Sequence, residues 1–334
     1  MAEARLPVAL LTGFLGSGKT SLLRRALAGG AWTDTAVLIN ELGEIGLDHY
    51  LVDTVDGPVL ELPGGCLCCA IREDLALSLR RLLERRDAGL LPPFRRIAIE
   101  TTGLADPAPI LFTLGADALL EMQLQLGSVT ATVDAVSGAA ILARYVEAAR
   151  QVAIADHLVL TKTDLAPGDA GLRAMLAALN PAAARRLAAA PEDVGALLFG
   201  PPLGARPALP GAAPSGHHTH GIESHAVLLH GPCSRLDFAR ALGGLARERG
   251  EALLRVKGIL CFSDRPDWPA FIQGAQHALY PPVWLERWPD DDRRSRLQFI
   301  VHGIVRDEIL ARFAFAAAAP ANEDHTEGEE ACLT

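Results

Sequence analysis

Lysine is nearly absent from this chain. Of its 31 basic side chains only Lys19, Lys162 and Lys257 are lysines, and the other 28 are arginines. A sequence that uses arginine for its generic surface cations reserves lysine for places where a compact ammonium must fit, between phosphates or against a tight loop. Basic residues are also outnumbered by 40 acidic ones, leaving a net charge of −9. No broad basic face is available to displace phosphate counterions, which argues against nucleic acid as a partner. Long apolar runs are missing as well: only six residues precede the Thr12-Gly13 pair in the first apolar stretch. That is too short for a signal-peptide core or a membrane span, so the expectation is a cytoplasmic protein with no membrane partner. No fixed-period repeat accompanies the 31 Gly and 22 Pro, which rules out a collagen-like or low-complexity chain. Cysteines number six, and three of them crowd into positions 66, 68 and 69, where near-adjacent thiols bridge each other poorly. Metal or redox chemistry in a reducing compartment is the better reading.

What the sequence does have is core. Half of its 334 residues are hydrophobic, enough for about two domains at ~150 residues each. The first ~165 residues alternate strand candidates (Val8–Thr12, Ala36–Asn40, Arg96–Glu100, Ser128–Asp134, His157–Thr161) with helix candidates (Lys19–Ala28, Arg72–Arg86, Ser137–Ala155, Ala170–Leu179). This is the α/β pattern of a mainly parallel sheet covered by helices, assigned here to residues 1–190. From Pro191 to about residue 222 the texture becomes rich in Pro, Gly, Ala and His and reads as a linker. A smaller α+β domain follows over 223–317, with strand candidates Ser224–His230, Leu253–Phe262 and Leu297–Gly303 and helix candidates Ser234–Glu248 and Asp307–Ala316. Residues 318–334 form an acidic tail without periodicity, read as disordered.

Gly13-Phe-Leu-Gly16-Ser17-Gly18-Lys19-Thr20 matches G-x-x-x-x-G-K-[ST] between a strand and a helix candidate, the context a phosphate-binding loop requires. Its glycines let backbone N–H groups and the helix N-terminus face phosphate oxygens; Lys19 reaches the β- and γ-phosphates, and Thr20, followed by Ser21, offers a hydroxyl to Mg²⁺. The strand Arg96–Glu100 ends in an acid and is followed by Gly103. Glu100 brings a carboxylate toward the Mg²⁺ shell, and the Gly103 N–H can sense the γ-phosphate. Lys19, Thr20 and Glu100 are thus the catalytic candidates. Thr161-Lys162-Thr163-Asp164 resembles the N-K-x-D guanine motif: Asp164 accepts from the guanine N1–H and 2-amino group, which adenine cannot offer, and Lys162 packs over the base and braces the phosphate loop. Thr161 stands where asparagine is usual, so one contact is changed.

Pro63-Gly-Gly-Cys66-Leu-Cys68-Cys69 places three thiols on a turn introduced by glycines. In an extended segment Cys66 and Cys68 point the same way and can converge on one soft ion, with Cys69 as a third ligand. Zn²⁺, Co²⁺, Ni²⁺ or Cu(I) fits this donor set, with a redox pair or inert thiols as the competing readings. Three imidazoles in the linker, His217, His218 and His220, with His225 just beyond, form a weak auxiliary set.

Taken in order, GFLGSGKT, NELGEIGLDH, GGCLCC, ETTGLADP and TKTD resemble the CobW-type GTPases of the SIMIBI class, relatives of the nickel-insertion proteins HypB and UreG. Arg255-Val-Lys257-Gly258-Ile259, Gln273-Gly-Ala-Gln-His277 and a terminal strand with Arg296 resemble the CobW C-terminal domain. The resemblance implies a GTP-hydrolysing metallochaperone or metal insertase that uses GTP and Mg²⁺, binds Zn²⁺ or Co²⁺, and delivers it to a client metalloprotein or metal-inserting complex. It places Asn40–His49 at the switch I position, where Glu41 and Glu44 become helper ligands to the metal. GTP then assembles the site and hydrolysis loosens it. A small-molecule kinase using the same loop, or a metal reservoir with merely structural nucleotide, are the alternatives. The oligomeric state is left open, a nucleotide-dependent homodimer included.

Overall fold

The computed structural model describes residues 5–28, 34–40, 59–62, 70–166, 170–187, 191–199 and 219–316. Within the first 187 residues the apolar runs become seven strands: β1 (Leu6–Gly13), β2 (Thr35–Asn40), β3 (Val59–Leu62), β4 (Arg96–Glu100), β5 (Leu124–Asp134), β6 (His157–Thr161) and β7 (Ala184–Leu187). They pair in the order β3-β2-β4-β1-β5-β6-β7, and every pairing is parallel. Successive side chains of a strand face opposite ways, and here both faces are covered. On β1, Val8 and Leu10 join the cluster on one face while Ala9 and Leu11 join that on the other.

The helices are α1 (Lys19–Ala28), α2 (Ala70–Asp87), α3 (Ala108–Ala116), α4 (Ala118–Gln123), α5 (Gly138–Arg144), α6 (Val146–Ile154), α7 (Ala170–Leu179) and α8 (Pro191–Phe199). The sequence reading is corrected in two places. The single helix expected over Ser137–Ala155 is broken at Tyr145, whose backbone is extended (φ −117°, ψ 119°); its ring lies 4.7 Å from that of Phe14 in the phosphate loop. The stretch read as linker from Pro191 instead opens with α8. Proline is well placed in the first turn of a helix, where its missing N–H would have no partner anyway. Val194, Leu197 and Leu198 then supply a buried stripe, and Ser128 on β5 donates to the Leu197 and Leu198 carbonyls at 2.8 and 2.7 Å.

The second domain is an antiparallel sheet with helices on one face. Its strands are β8 (Ile222–Leu229), β9 (Leu253–Phe262), β10 (Arg265–Ala275), β11 (Ala278–Leu279), β12 (Val283–Trp284) and β13 (Ser295–His302), with α9 (Arg235–Arg249) and α10 (Arg306–Arg312). The main path runs β11-β10-β9-β13-β8, and β12 pairs with β10. Phe238, Leu242, Leu245 and Ile309 from the helices, with Phe313 just past α10, cover one face of the sheet. Leu254, Ala275 and Ile300 belong to the core of the first domain, so the two units share one apolar seam. The α/β plus α+β architecture is as the sequence implied. No helix among the described residues is long and apolar enough to cross a membrane.

Candidate nucleotide and metal site

The phosphate loop runs from the end of β1 to the start of α1. Gly13, Gly16 and Gly18 have φ of 138°, 68° and 91°, a region that side-chain-bearing residues rarely adopt. Lys19 Nζ folds back to donate to the Gly13 and Phe14 carbonyls at 2.9 and 3.2 Å. Ser17 ties the loop sideways, its hydroxyl 2.6 Å from that of Thr132 on β5. Leu15, Gly16 and Ser21 are exposed.

The β1–β4 register sets Leu11 opposite Glu100, which brings the end of β4 beside the loop. Thr20 Oγ1 donates to Glu100 Oε1 at 2.6 Å, and the Glu100 side chain is buried. A hydroxyl and a buried carboxylate in contact at the head of the phosphate loop are the donor set a hard cation with oxygen ligands requires, so these residues fit Mg²⁺. Past β4, Thr101 donates to Thr12 Oγ1 at 2.9 Å, and the chain turns against the phosphate loop. A Cβ at Gly103 would lie 2.6 Å from the Leu15 nitrogen and 2.7 Å from its Cα, so only glycine permits this approach.

Lys162 takes φ 55° in the turn after β6, and Asp164 is exposed in that turn. The ammonium of Lys162 sits 2.7 Å from Asp134 Oδ2 rather than on the phosphate loop. The brace expected of Lys162 comes from its neighbour: Thr161 Oγ1 donates to the Ser17 carbonyl at 2.7 Å. Burial pushes the Asp134 carboxyl up, but hydrogen bonds from Lys162, the Val136 N–H and the Ser137 hydroxyl outweigh it and hold the group below its ordinary value.

Glu41, Glu44, Cys66, Cys68 and Cys69 lie outside the described residues, as do His217 and His218. The strands that lead to them are described. Asn40 and Leu62, the last residues of β2 and β3, are register partners, so the chain departs toward the switch segment and toward the thiol segment from adjoining strand ends. These ends lie on the same carboxyl edge of the sheet as Gly13 and Glu100. His220 Nε2 is 3.1 Å from the Leu142 carbonyl, and His225 Nε2 lies 3.0 Å from the Ile304 carbonyl, each engaged within the fold. Among the described residues no three His, Cys, Asp or Glu side chains gather as a metal cluster. Cys233 and Cys261 are buried free thiols, and burial pushes Cys233 up to about 11, which suits core filler and not a ligand.

Sequence reasoning missed Thr132, Asp134 and Gln151. Asp134 carried a local signal, a strand ending in Asp with Ser three residues on; Thr132 and Gln151 carried none, because their partners are 115 and 48 residues away.

Residues 7–186 match the CobW/HypB/UreG nucleotide-binding domain, and residues 222–317 match the cobalamin synthesis protein CobW C-terminal domain. The zinc chaperone YjiA of Escherichia coli K12 is 34% identical over 314 residues, covering 92% of this chain and 98% of YjiA. The zinc-regulated GTPase metalloprotein activator 1 of Schizosaccharomyces pombe is 36% identical over 172 residues, 49% of this chain and 41% of that protein. Among solved structures, a Zn(II)-bound triple mutant of YjiA GTPase superposes with TM-score 0.70 at 30% identity, covering 94% of this chain and 99% of that one. With both domain models matched in order and a relative aligned over nearly its full length, the chain belongs to the CobW/HypB/UreG family.

Proposed function

We propose that this GTPase is a metal chaperone that holds a divalent transition metal, zinc ahead of cobalt, on Cys66, Cys68 and Cys69, assisted by Glu41 and Glu44. It releases the ion to a client metalloprotein in a step timed by GTP hydrolysis. The supporting observation is the pairing of Asn40 with Leu62 on the edge that also carries Glu100. Segments bearing the thiols and the helper acids depart from neighbouring strand ends, so a change at the phosphate loop acts on both at once. The relatives named as zinc chaperones support zinc as the cargo.

The chain's own residues divide the work. Lys19 exchanges the Gly13 and Phe14 carbonyls for the β- and γ-phosphate oxygens, Asp164 reads the guanine edge, and Thr161 keeps the base-reading turn in register with the loop. Thr20 and Glu100 would hold Mg²⁺, which supplies charge neutralisation for the phosphates when bound. Gly103 presents its backbone to the γ-phosphate. The exposed Leu15, Leu104, Val136 and Leu165, each in a segment that follows a strand on this edge, give the face apolar area for a client or a second subunit to cover.

Purified untagged protein supplied with GTP, Mg²⁺ and no phosphate acceptor tests the reading. Steady phosphate release from GTP and not from ATP, together with near-equimolar zinc on the protein, is the expected result. GDP formation only on adding a small-molecule acceptor, with the phosphoryl group found on that acceptor and none released as free phosphate, would identify a kinase, and metal retention with no turnover would identify a reservoir; either overturns the proposal.

A further inference from the structure

One helix touches both the nucleotide loop and the second domain. On α6, Gln151 is 1% exposed and its Nε2 donates to the carbonyls of Gly103 and Ala105 at 3.1 and 3.0 Å. Its neighbour Arg150 pairs with Asp106 at 2.7 Å. The turn that presses on Leu15 therefore hangs from two consecutive side chains of this helix.

The last turn of α6 also meets the second domain. Arg255 on β9 donates through Nη1 to the Ile154 carbonyl and through Nη2 to Asp156 at 2.8 Å, while Lys257 Nζ lies 3.1 Å from the other oxygen of Asp156. Asp156 also accepts from the Val129 N–H at 2.9 Å. None of the three charged side chains exceeds 5% exposure. Asn180 donates to the Val152, Ala153 and Ala155 carbonyls at 2.9, 2.9 and 2.8 Å and fixes the helix end. Gln151 and Ile154 are three residues apart, less than one helical turn of ~5.4 Å. A shift at one grip is carried directly to the other.

Two features make this more than glue between domains. The seat sets two buried cations against a single carboxylate, and buried charges respond steeply to small changes in distance. Burial pulls the Lys257 ammonium below its ordinary value, opposed by Asp156, as expected where charge is in surplus. In addition, Gln151 Oε1 is buried with no hydrogen-bond partner among the described residues. A buried acceptor left so is a standing penalty that a shift of the Gly103 turn or of the helix can relieve.

We propose that α6 is the transmission between the domains. Gln151 is a positioning residue that sets the Gly103 turn for the γ-phosphate, and the Asp156–Arg255–Lys257 seat makes that setting depend on how the C-terminal domain is docked. By reciprocity, a partner that displaces the C-terminal domain changes the preference for GTP over GDP. The proposal rests on the reading of Gly103 as the γ-phosphate contact and is independent of the metal reading, since it is tested without transition metal.

The test measures the affinity of the full chain for a non-hydrolysable GTP analogue and for GDP. Gln151→Met is expected to weaken the analogue about tenfold and leave GDP within about twofold, and Lys257→Met to weaken the analogue about threefold with GDP unchanged. The double variant should lose less than the product of the two effects, as expected for residues on one path. Equal losses for both nucleotides, or effects that simply multiply, would overturn it. If either variant fails to fold, hydrogen exchange on the unsubstituted protein decides. Protection at residues 253–258 is expected to differ between analogue and GDP; no difference there, while residues 101–105 do respond, defeats the transmission. No response at 101–105 either would defeat the Gly103 reading itself.

Discussion

Thr161 donates its hydroxyl to the carbonyl of Ser17 at 2.7 Å, joining the turn after β6 to the phosphate loop across 144 residues of sequence. This is where the departure from the usual asparagine falls, and the threonine supplies a tie of its own; its methyl also lies against Gly18, whose Cβ would come within 3.3 Å. Thr161→Val keeps the shape and removes the donor. The expected cost is about 1–2 kcal/mol in unfolding free energy, with GTP and GDP affinity falling together by roughly tenfold. Thr161→Ser should restore both. Denaturant titration and nucleotide binding of the two variants check this.

Lys19→Ala removes the donor to the Gly13 and Phe14 carbonyls and the cation that meets the phosphates. Binding of both nucleotides should fall by at least about a hundredfold, since two charge-assisted contacts are lost. The melting temperature should drop by only a few degrees, about 1 kcal/mol for a chain of this size. Calorimetric titration of the folded variant measures the binding loss, and normal GTP affinity would refute the loop assignment.

Gly103→Ala places a methyl group 2.6 Å from the backbone of Leu15, so one of the two loops must move. On the proposed reading of Gly103 as the γ-phosphate contact, the GTP analogue should weaken more than GDP. Comparing the two dissociation constants distinguishes this from general damage, which would lower both.

Asp134 gives a pH signature. Its carboxyl lies below its ordinary value of 3.8 in the folded chain, because Lys162, Val136 and Ser137 outweigh the effect of burial. A depressed acid contributes stability that is fully present above its unfolded pKa and is lost as pH falls through the folded value. The stability lost in Asp134→Asn should therefore be constant between about pH 5 and 8 and shrink only below the ordinary carboxylate range. The size is modest, since Lys162 is 39% exposed and screened by solvent. Thermal unfolding of both proteins across pH provides the comparison.

What the sequence disclosed followed from locality. The phosphate loop and Glu100 lie in short motifs whose signal is carried by neighbours, and the apolar runs of β1, β4 and β6 are buried on both faces, so they stand out without reference to partners. Strand β10 was missed because Pro266 and Pro269 interrupt it and its first residues are exposed. β7 was missed because it is four residues long with two arginines. The break at Tyr145 coincides with a ring contact to Phe14, 131 positions earlier, which no window on the chain contains. Lys257 is the instructive case: its rarity marked it, but only the fold supplies its partner, Asp156, 101 residues earlier.

In the proposed delivery cycle nucleotide state governs metal grip, and chelator competition measures that coupling directly. Zinc affinity of the untagged protein should be at least about tenfold tighter with a GTP analogue and Mg²⁺ than with GDP, a coupling of about 1.4 kcal/mol. Cys66→Ala or Cys68→Ala should abolish the tight site while leaving GTP binding nearly unchanged. Equal zinc affinity in the two nucleotide states, or full affinity retained in the cysteine variants, would contradict the account.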